Sequence, residues 1–464
     1  MSKIIKINSL SILLIIILIV TIVVFLEFPF ISYDSGYYLS MMREMHAGNL
    51  YFKDIASPYN PMAIVLMSLS FLLSPTYSFE ISLFINLTVI TASGFVLYKV
   101  MELINKKKPL HLFLSLSFIA LCFIYDGNHL MLEPFSVLFQ LVALYFYLKF
   151  KTTHTSILIF VSGLFVACAF LSKQYGLFIL LPIGIDILLS KKTSQILKNV
   201  LLLTLGVLLP ITLMFMYYLT FGIGFFEFLE FILGQGVKLD SGFGTGLDTT
   251  FKFRHLLSAF LYAPLVLVIP VLIFKIKKSK GLLFYILLTN SSLTPFLFGV
   301  YDHYYQYIFA YFILLLVHCL TFSNVKIPKT IFMIVLFFGL AKITFKLISE
   351  IKHQIEDSNI QRKNKLVLKD VIPEKSTVYL SGVSPAFYFL GHYKSINLKR
   401  IGFSFPGYFY PKTILNNLKP GDYLILTDVY LNDYKNYSHL FEIQHAYLDG
   451  EDNSSIPITI LEKR

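Results

Sequence analysis

One carboxylate opens the chemistry of this chain. Asp34 follows the first long apolar run, in Ile31-Ser32-Tyr33-Asp34-Ser35-Gly36-Tyr37-Tyr38, and the polar stretch after it closes on Ser57-Pro58-Tyr59-Asn60-Pro61. A carboxylate held at the end of an apolar segment is suited to taking a proton from an incoming hydroxyl. Two groups of opposite charge stand between later apolar runs: Lys173, in Leu171-Ser172-Lys173-Gln174-Tyr175-Gly176, and His303, in Asp302-His303-Tyr304-Tyr305. With Arg254 they are the cations available to hold an anion and to stabilise charge developing on it. Glu133, in Met131-Leu132-Glu133-Pro134, and Asp54, Asp126 and Tyr304 are candidates to line or support such a site. Structural roles compete with these. Asp34 suits a helix N-terminus and Glu133 the first turn of its helix, where the dipole favours an acid.

The elements that position these groups are lipid-soluble. The chain has 464 residues, 56% of them hydrophobic, and a mean hydropathy of +0.70. Apolar runs of about 20 residues, enough to cross a bilayer, recur throughout. We read about eleven spans, near 9–28, 78–100, 110–125, 132–150, 156–171, 175–190, 198–220, 255–274, 281–300, 304–322 and 330–347. Residues 61–74 are apolar but short, and read as an interfacial or re-entrant helix. The fold class expected is mainly α: a polytopic transmembrane helical bundle.

Basic residues set the orientation. Lys3 and Lys6, Lys106 to Lys108, Lys149 and Lys151, Lys191 and Lys192, Lys275 to Lys280, and Lys326 and Lys329 fall on one side, which the positive-inside rule makes the cytoplasm. The candidate acids lie opposite. The chain is thus expected to be a multi-pass protein of the cytoplasmic (inner) membrane with its N-terminus in the cytoplasm and its first apolar run retained. Orientation and lipid headgroups account for the net charge of +12, so no nucleic-acid partner is called for. Cys122, Cys168 and Cys319 fall within spans and read as packing residues.

The cytoplasmic segments are short, about ten residues or fewer, whereas a nucleotide-binding unit needs at least about 30. No phosphate-binding Gly-rich fingerprint is present. Residues 1–347 therefore read as a transmembrane catalytic domain with outside loops at 29–77 and 221–253, the second a candidate cover over the site. After Leu347 the composition changes. A charged stretch, 350–365, precedes β-like runs at 377–380, 423–426, 441–444 and 458–461, with short helices expected at 385–391 and 411–418. Residues 348–464 read as a small extracytoplasmic α/β domain.

In order along the chain, Asp34-Ser35-Gly36-Tyr37-Tyr38 with Gly48, Tyr51, Asp54, Pro58 and Pro61, then Met131 to Pro134, Leu171 to Gly176 and Asp302 to Tyr305 resemble the GT-C glycosyltransferases, in particular the protein O-mannosyltransferase and aminoarabinose-transferase relatives that use polyprenyl-phosphate sugars. Two departures are visible: Ser35 stands where the family often has a second acid, and Phe309-Ala310 where a proline often follows the His-Tyr motif. The resemblance implies a sugar moved from a polyprenyl-phosphate donor to an envelope glycan, lipid or protein acceptor at the outer face of the membrane. It also implies a single inverting displacement. A phosphate leaving group is already stable, so such a site needs a base for the acceptor more than an acid for the leaving oxygen; Asp34 is the candidate base, with Lys173, His303 and Arg254 on the donor phosphate. No cofactor is required by the sequence. A divalent cation shared by Asp34 and other outside acids is compatible with it, though no ligand spacing demands one. The alternatives are a flippase or transporter of lipid-linked sugars and a polymerase of lipid-linked repeat units.

Overall fold

The computed structural model describes residues 2–55, 57, 59–105, 108–189, 193–234, 281–297, 302–322, 329–373, 376–381, 394–395, 418–427, 441–449 and 455–463. The helices in these residues are α1 (Ser2–Glu27), α2 (Tyr33–His46), α3 (Pro61–Leu73), α4 (Ser78–Ile104), α5 (Lys108–Cys122), α6 (Glu133–Thr153), α7 (Ile157–Ser172), α8 (Leu180–Leu188), α9 (Thr193–Leu219), α10 (Phe225–Leu229), α11 (Leu282–Ser292), α12 (Tyr305–Phe322) and α13 (Lys329–Val371). Prolines set several of the boundaries. Pro29 pushes Phe28 out of helical conformation just after α1 ends, Pro61 opens α3, and Pro373 follows the end of α13.

Among the described residues, Ser78–Ile104, Leu110–Gly127, Gln195–Leu219 and Tyr305–Phe322 are long and apolar enough to cross a membrane, and shorter apolar helices include Ile157–Ser172 and Leu282–Ser292. Leu201, Leu205, Leu208 and Leu213 of α9 are exposed, as a lipid-facing surface requires. The protein is a multi-pass membrane protein. Two expected spans are not α-helical throughout. Of the expected span at 175–190, the described residues start in a tight 3₁₀ turn, Gln174–Ile179, that leads into the short α8, and of the one at 281–300 the described residues 281–297 form α11 and then a second 3₁₀ turn, Thr294–Leu297, at Pro295. The expected span at 255–274 lies outside the described residues.

The chain divides into two compact units. The first comprises Met1–Ile22, Pro58–Leu66 and Phe84–Ser349; the second comprises Val23–Ser57, Met67–Leu83 and Glu350–Arg464. In the first, α7 packs on α6 and α9. Ser162 donates to the carbonyl of Ala143 at 2.8 Å, and Gly163 and Gly206 meet so closely that a Cβ on either would lie 2.4 Å or less from a backbone carbonyl oxygen of the other helix. Small residues at such crossings let helix backbones pack without a side chain between them.

In the second unit, β1 (Thr377–Ser381), β2 (Lys394–Ser395), β3 (Tyr423–Thr427), β4 (Phe441–Asp449) and β5 (Ser455–Lys463) form one mixed sheet in the order β2-β1-β3-β5-β4. β1 pairs parallel with β2 and β3, while β5 pairs antiparallel with both β3 and β4. The charged stretch 350–365 is not a break: α13 runs without interruption from its apolar start to Val371. A helix continues through a change from apolar to charged residues so long as no proline or capping signal stops it.

Candidate functional site

α5 runs directly into a distorted turn that delivers Asp126. Phe123–Gly127 forms a π turn in which Tyr125 (φ −111°, ψ 76°) and Asp126 (φ 60°, ψ 13°) leave helical conformation. Aspartate is one of the few residues other than glycine that occupies this left-handed region readily. The next residue has to be glycine, because a Cβ on Gly127 would stand 2.3 Å from the carbonyl oxygen of Cys122. Carbonyls in and just beyond this turn accept from side-chain amides. Gln306 Nε2 donates to Tyr125 at 2.8 Å, and Asn86 Nδ2 donates to His129 at 2.8 Å. The Asp126 carboxylate so fixed lies 3.2 Å from Nδ1 of His303.

Lys173 is placed by an equally tight corner. α7 ends at Ser172, Lys173 is extended (φ −153°, ψ 138°), and the 3₁₀ turn follows at once. The backbone N–H of Lys173 donates to Ala169 at 3.0 Å and that of Gly176 to Lys173 at 2.8 Å. A Cβ on Gly176 would sit 2.2 Å from the Ala169 carbonyl group. From this corner the lysine Nζ reaches within 2.8 Å of Glu133 Oε1, over the ring of Tyr59 at 4.2 Å from its centre. Asn60, the next residue, donates to the carbonyl of Phe170 at 2.7 Å, which holds this segment on the end of α7. The hydroxyls of Tyr175 and Tyr304 lie 3.1 Å apart. Gln140 donates to the Tyr175 carbonyl at 3.3 Å and accepts from the hydroxyl of Tyr311.

Glu133 opens α6, with Pro134 in the first turn, and has no exposed surface; Lys173 is 5% and His303 9% exposed. His303 lies between two acids, with Nδ1 facing Asp126 and Nε2 3.6 Å from Glu133 Oε1. Burial by itself would lower the pKa of this histidine, but the neighbouring Glu133 and Asp126 carboxylates outweigh it and hold the value above the ordinary histidine range. The group thus holds two carboxylates against two cations, in a setting where an unpartnered charge would be costly.

In the second unit, Asp34 occupies the first turn of α2, whose N-cap Ser32 accepts from the N–H of Ser35 at 3.2 Å. Asp34 is half-buried. Asp54 Oδ2 accepts from the N–H of Leu50 at 2.9 Å, a turn-closing role within its own loop.

No protein-family model and no curated protein matches the sequence. Solved structures do. The chain is similar to ArnT from Cupriavidus metallidurans bound to undecaprenyl phosphate, with a TM-score of 0.65 and 11% identity over 97% of both chains. It is equally similar to the apo state of that protein, with a TM-score of 0.65 and 11% identity over 96% of this chain and 97% of that one. The fold is the one seen in ArnT.

Within this fold the structure brings together Asp126, Glu133, Lys173, His303 and Tyr304, all in the first unit, and places Asp34 and Asp54 in the second. Arg254 and most of the loop 221–253 lie outside the described residues. Sequence reasoning missed the neutral side chains that hold the group in place: Tyr59, Asn86, Gln140, Tyr175 and Gln306. The available signal was a polar amide inside an apolar run, which the bilayer makes costly without a partner. The cluster stands at one end of α6. At the other end, about 27 Å away at the helical rise per residue, Lys151 pairs with Asp186 at 2.6 Å beside a cavity of about 350 Å³. Among the described residues no three His, Cys, Asp or Glu side chains are arranged to hold a metal ion.

Proposed function

We propose that the protein is a membrane glycosyltransferase that moves a sugar from a polyprenyl-phosphate donor to a glycan, lipid or protein acceptor at the outer face of the cytoplasmic membrane. The observation that carries this reading is the likeness over 97% of both chains to ArnT bound to undecaprenyl phosphate. The Asp34 carboxylate takes the proton of the acceptor hydroxyl as its oxygen attacks the anomeric carbon. The bond from that carbon to the donor phosphate oxygen breaks on the opposite face, and the polyprenyl phosphate leaves with the electron pair. The new glycosidic bond therefore has inverted configuration.

Lys173 and His303, with Arg254, are the proposed partners of the phosphate. Glu133 and Asp126 keep the first two fixed before the donor arrives, so little reorganisation accompanies the appearance of charge on the leaving oxygen. The same arrangement favours a transferase over a carrier. A carrier is expected to place charged groups along its path through the membrane, whereas the pairs along α6 stand at its two ends. In this reading the N-terminus is cytoplasmic and the sheet-bearing region 348–464 lies outside.

Purified protein in lipid nanodiscs, given a panel of polyprenyl-phosphate hexoses and pentoses with lipid-linked saccharide and peptide acceptors, tests the reading. One donor is expected to be consumed with an inverted product, identified by NMR at the anomeric carbon. A product of retained configuration contradicts the single displacement. Movement of intact donor between leaflets without transfer favours the carrier.

A further inference from the structure

The segment between α1 and α2 has no strand or helix of its own, yet Ile31 within it is buried. Its backbone N–H and C=O need partners there. One side chain supplies both. Gln361 of α13 accepts from the Ile31 N–H through Oε1 at 3.0 Å and donates from Nε2 to the Ile31 carbonyl at 2.7 Å. Gln354, two helical turns earlier and so on the same face of α13, is 1% exposed and donates to the carbonyl of Phe28 at 2.9 Å. Arg362 adds a contact from Nη2 to the carbonyl of Glu27 at 3.4 Å, with its guanidinium 5.7 Å from the centre of the Phe28 ring. The next residue along the chain, Ser32, is the N-cap of α2, and Asp34 lies in the first turn beyond it. All of these residues belong to the second unit.

We propose that Gln354 and Gln361 are positioning residues for Asp34. The two amides lock the backbone from Phe28 to Ile31, and that lock sets where α2 begins and where its first-turn carboxylate is held. The two-point contact at Ile31 has a polarity that an amide satisfies in one orientation only, since the flipped amide would face donor with donor and acceptor with acceptor. No apolar or single-function side chain of similar size reproduces it. α13 runs from these glutamines to the residues just before β1, so the outer half of this helix acts on the Asp34 segment directly. The inference rests on Asp34 being the base of the proposed reaction.

The test uses the full-length protein in lipid nanodiscs and begins with hydrogen exchange, which needs no assumption about function. In Gln361→Ala the peptide covering residues 27–35 is expected to exchange at least about tenfold faster than in the wild type, with the rest of α2 unchanged. Transfer is then followed with whichever polyprenyl-phosphate sugar the wild type uses. A misplaced catalytic group costs about a hundredfold in rate, so kcat is expected to fall by that order while KM for the donor stays unchanged.

Gln361→Glu supplies a signature that loss of packing would not, and stands in if the alanine variant fails to fold. Its ionised carboxylate accepts from the Ile31 N–H but sets a second acceptor against the Ile31 carbonyl. Its protonated form can make both bonds. The ratio of variant to wild-type rate is therefore expected to rise as pH is lowered towards the ordinary glutamate range. Wild-type exchange, an unchanged kcat in Gln361→Ala, or a flat rate ratio in Gln361→Glu each overturn the proposal while leaving the role of Asp34 standing. Full activity in Asp34→Asn together with fast exchange in Gln361→Ala would keep the contacts, remove the base, and so overturn the positioning role by a different route.

Discussion

Lys173 and Glu133 meet at 2.8 Å with 5% and none of their respective surfaces exposed, although 40 positions of chain separate them. Removing one partner of a buried pair leaves the other charge uncompensated, at a typical cost of about 3–5 kcal/mol, whereas replacing both by groups of similar volume is often nearly neutral. Lys173→Met and Glu133→Gln are each expected to destabilise the protein by about that amount. The double variant should recover most of it. Thermal unfolding in nanodiscs of the four proteins of this cycle reads the result, and additive losses would contradict the pairing.

The His303 imidazole predicts a pH dependence of stability. Its folded pKa lies above the ordinary value near 6.5 because the Glu133 and Asp126 carboxylates outweigh burial. The protonated form is therefore the one the fold favours. Its stabilising contribution is complete below the unfolded pKa and is lost as pH rises through the raised folded value. The melting temperature of the wild type should fall across that alkaline side, and His303→Gln should remove this part of the dependence. A variant with the same pH profile as the wild type would contradict the bracketing of His303 by two acids.

Much of the fold is legible in the sequence because it follows from local pattern. The apolar runs that become α4, α9 and α12 need only length and hydropathy, and β1, β3, β4 and β5 fall on runs rich in β-branched and aromatic residues. The 3₁₀ turn at the end of α11 and the continuity of α13 depend on breakers rather than hydropathy. Pro295 follows the end of a helix inside an apolar run, while nothing stops α13 where its charge begins.

The site is less legible. Asp126 and His303 are candidates from sequence, but their contact spans 177 positions and relies on a π turn with a left-handed aspartate, which no local periodicity announces. Asp54 is equally visible as an acid in the first loop, and its carboxylate turns back to the N–H of Leu50. The glutamines at 354 and 361 carry no charge and sit in a charged stretch. Only their hydrogen bonds to the backbone of Phe28 and Ile31 set them apart.

Gly176 is where a single methyl group should separate placement of Lys173 from its chemistry. A Cβ there would meet the carbonyl group of Ala169 at 2.2 Å, and backbone has to move to admit it. Gly176→Ala is expected to cost about 1–3 kcal/mol, the usual range for overpacking. It should also lower donor-dependent transfer while Lys173 itself is unchanged. Gly184→Ala is the control, since its Cβ would meet nothing within 4 Å. Equal behaviour of the two variants would mean that the corner at Lys173 tolerates displacement.

The most direct measurement compares wild type and Asp34→Asn for sugar transfer from the donor that the wild type uses, with donor binding followed in parallel. Loss of a positioned general base lowers rates by about 10²–10⁴-fold, so the variant should bind donor as the wild type does and transfer sugar slower by that factor. Transfer at the wild-type rate by Asp34→Asn would contradict the account.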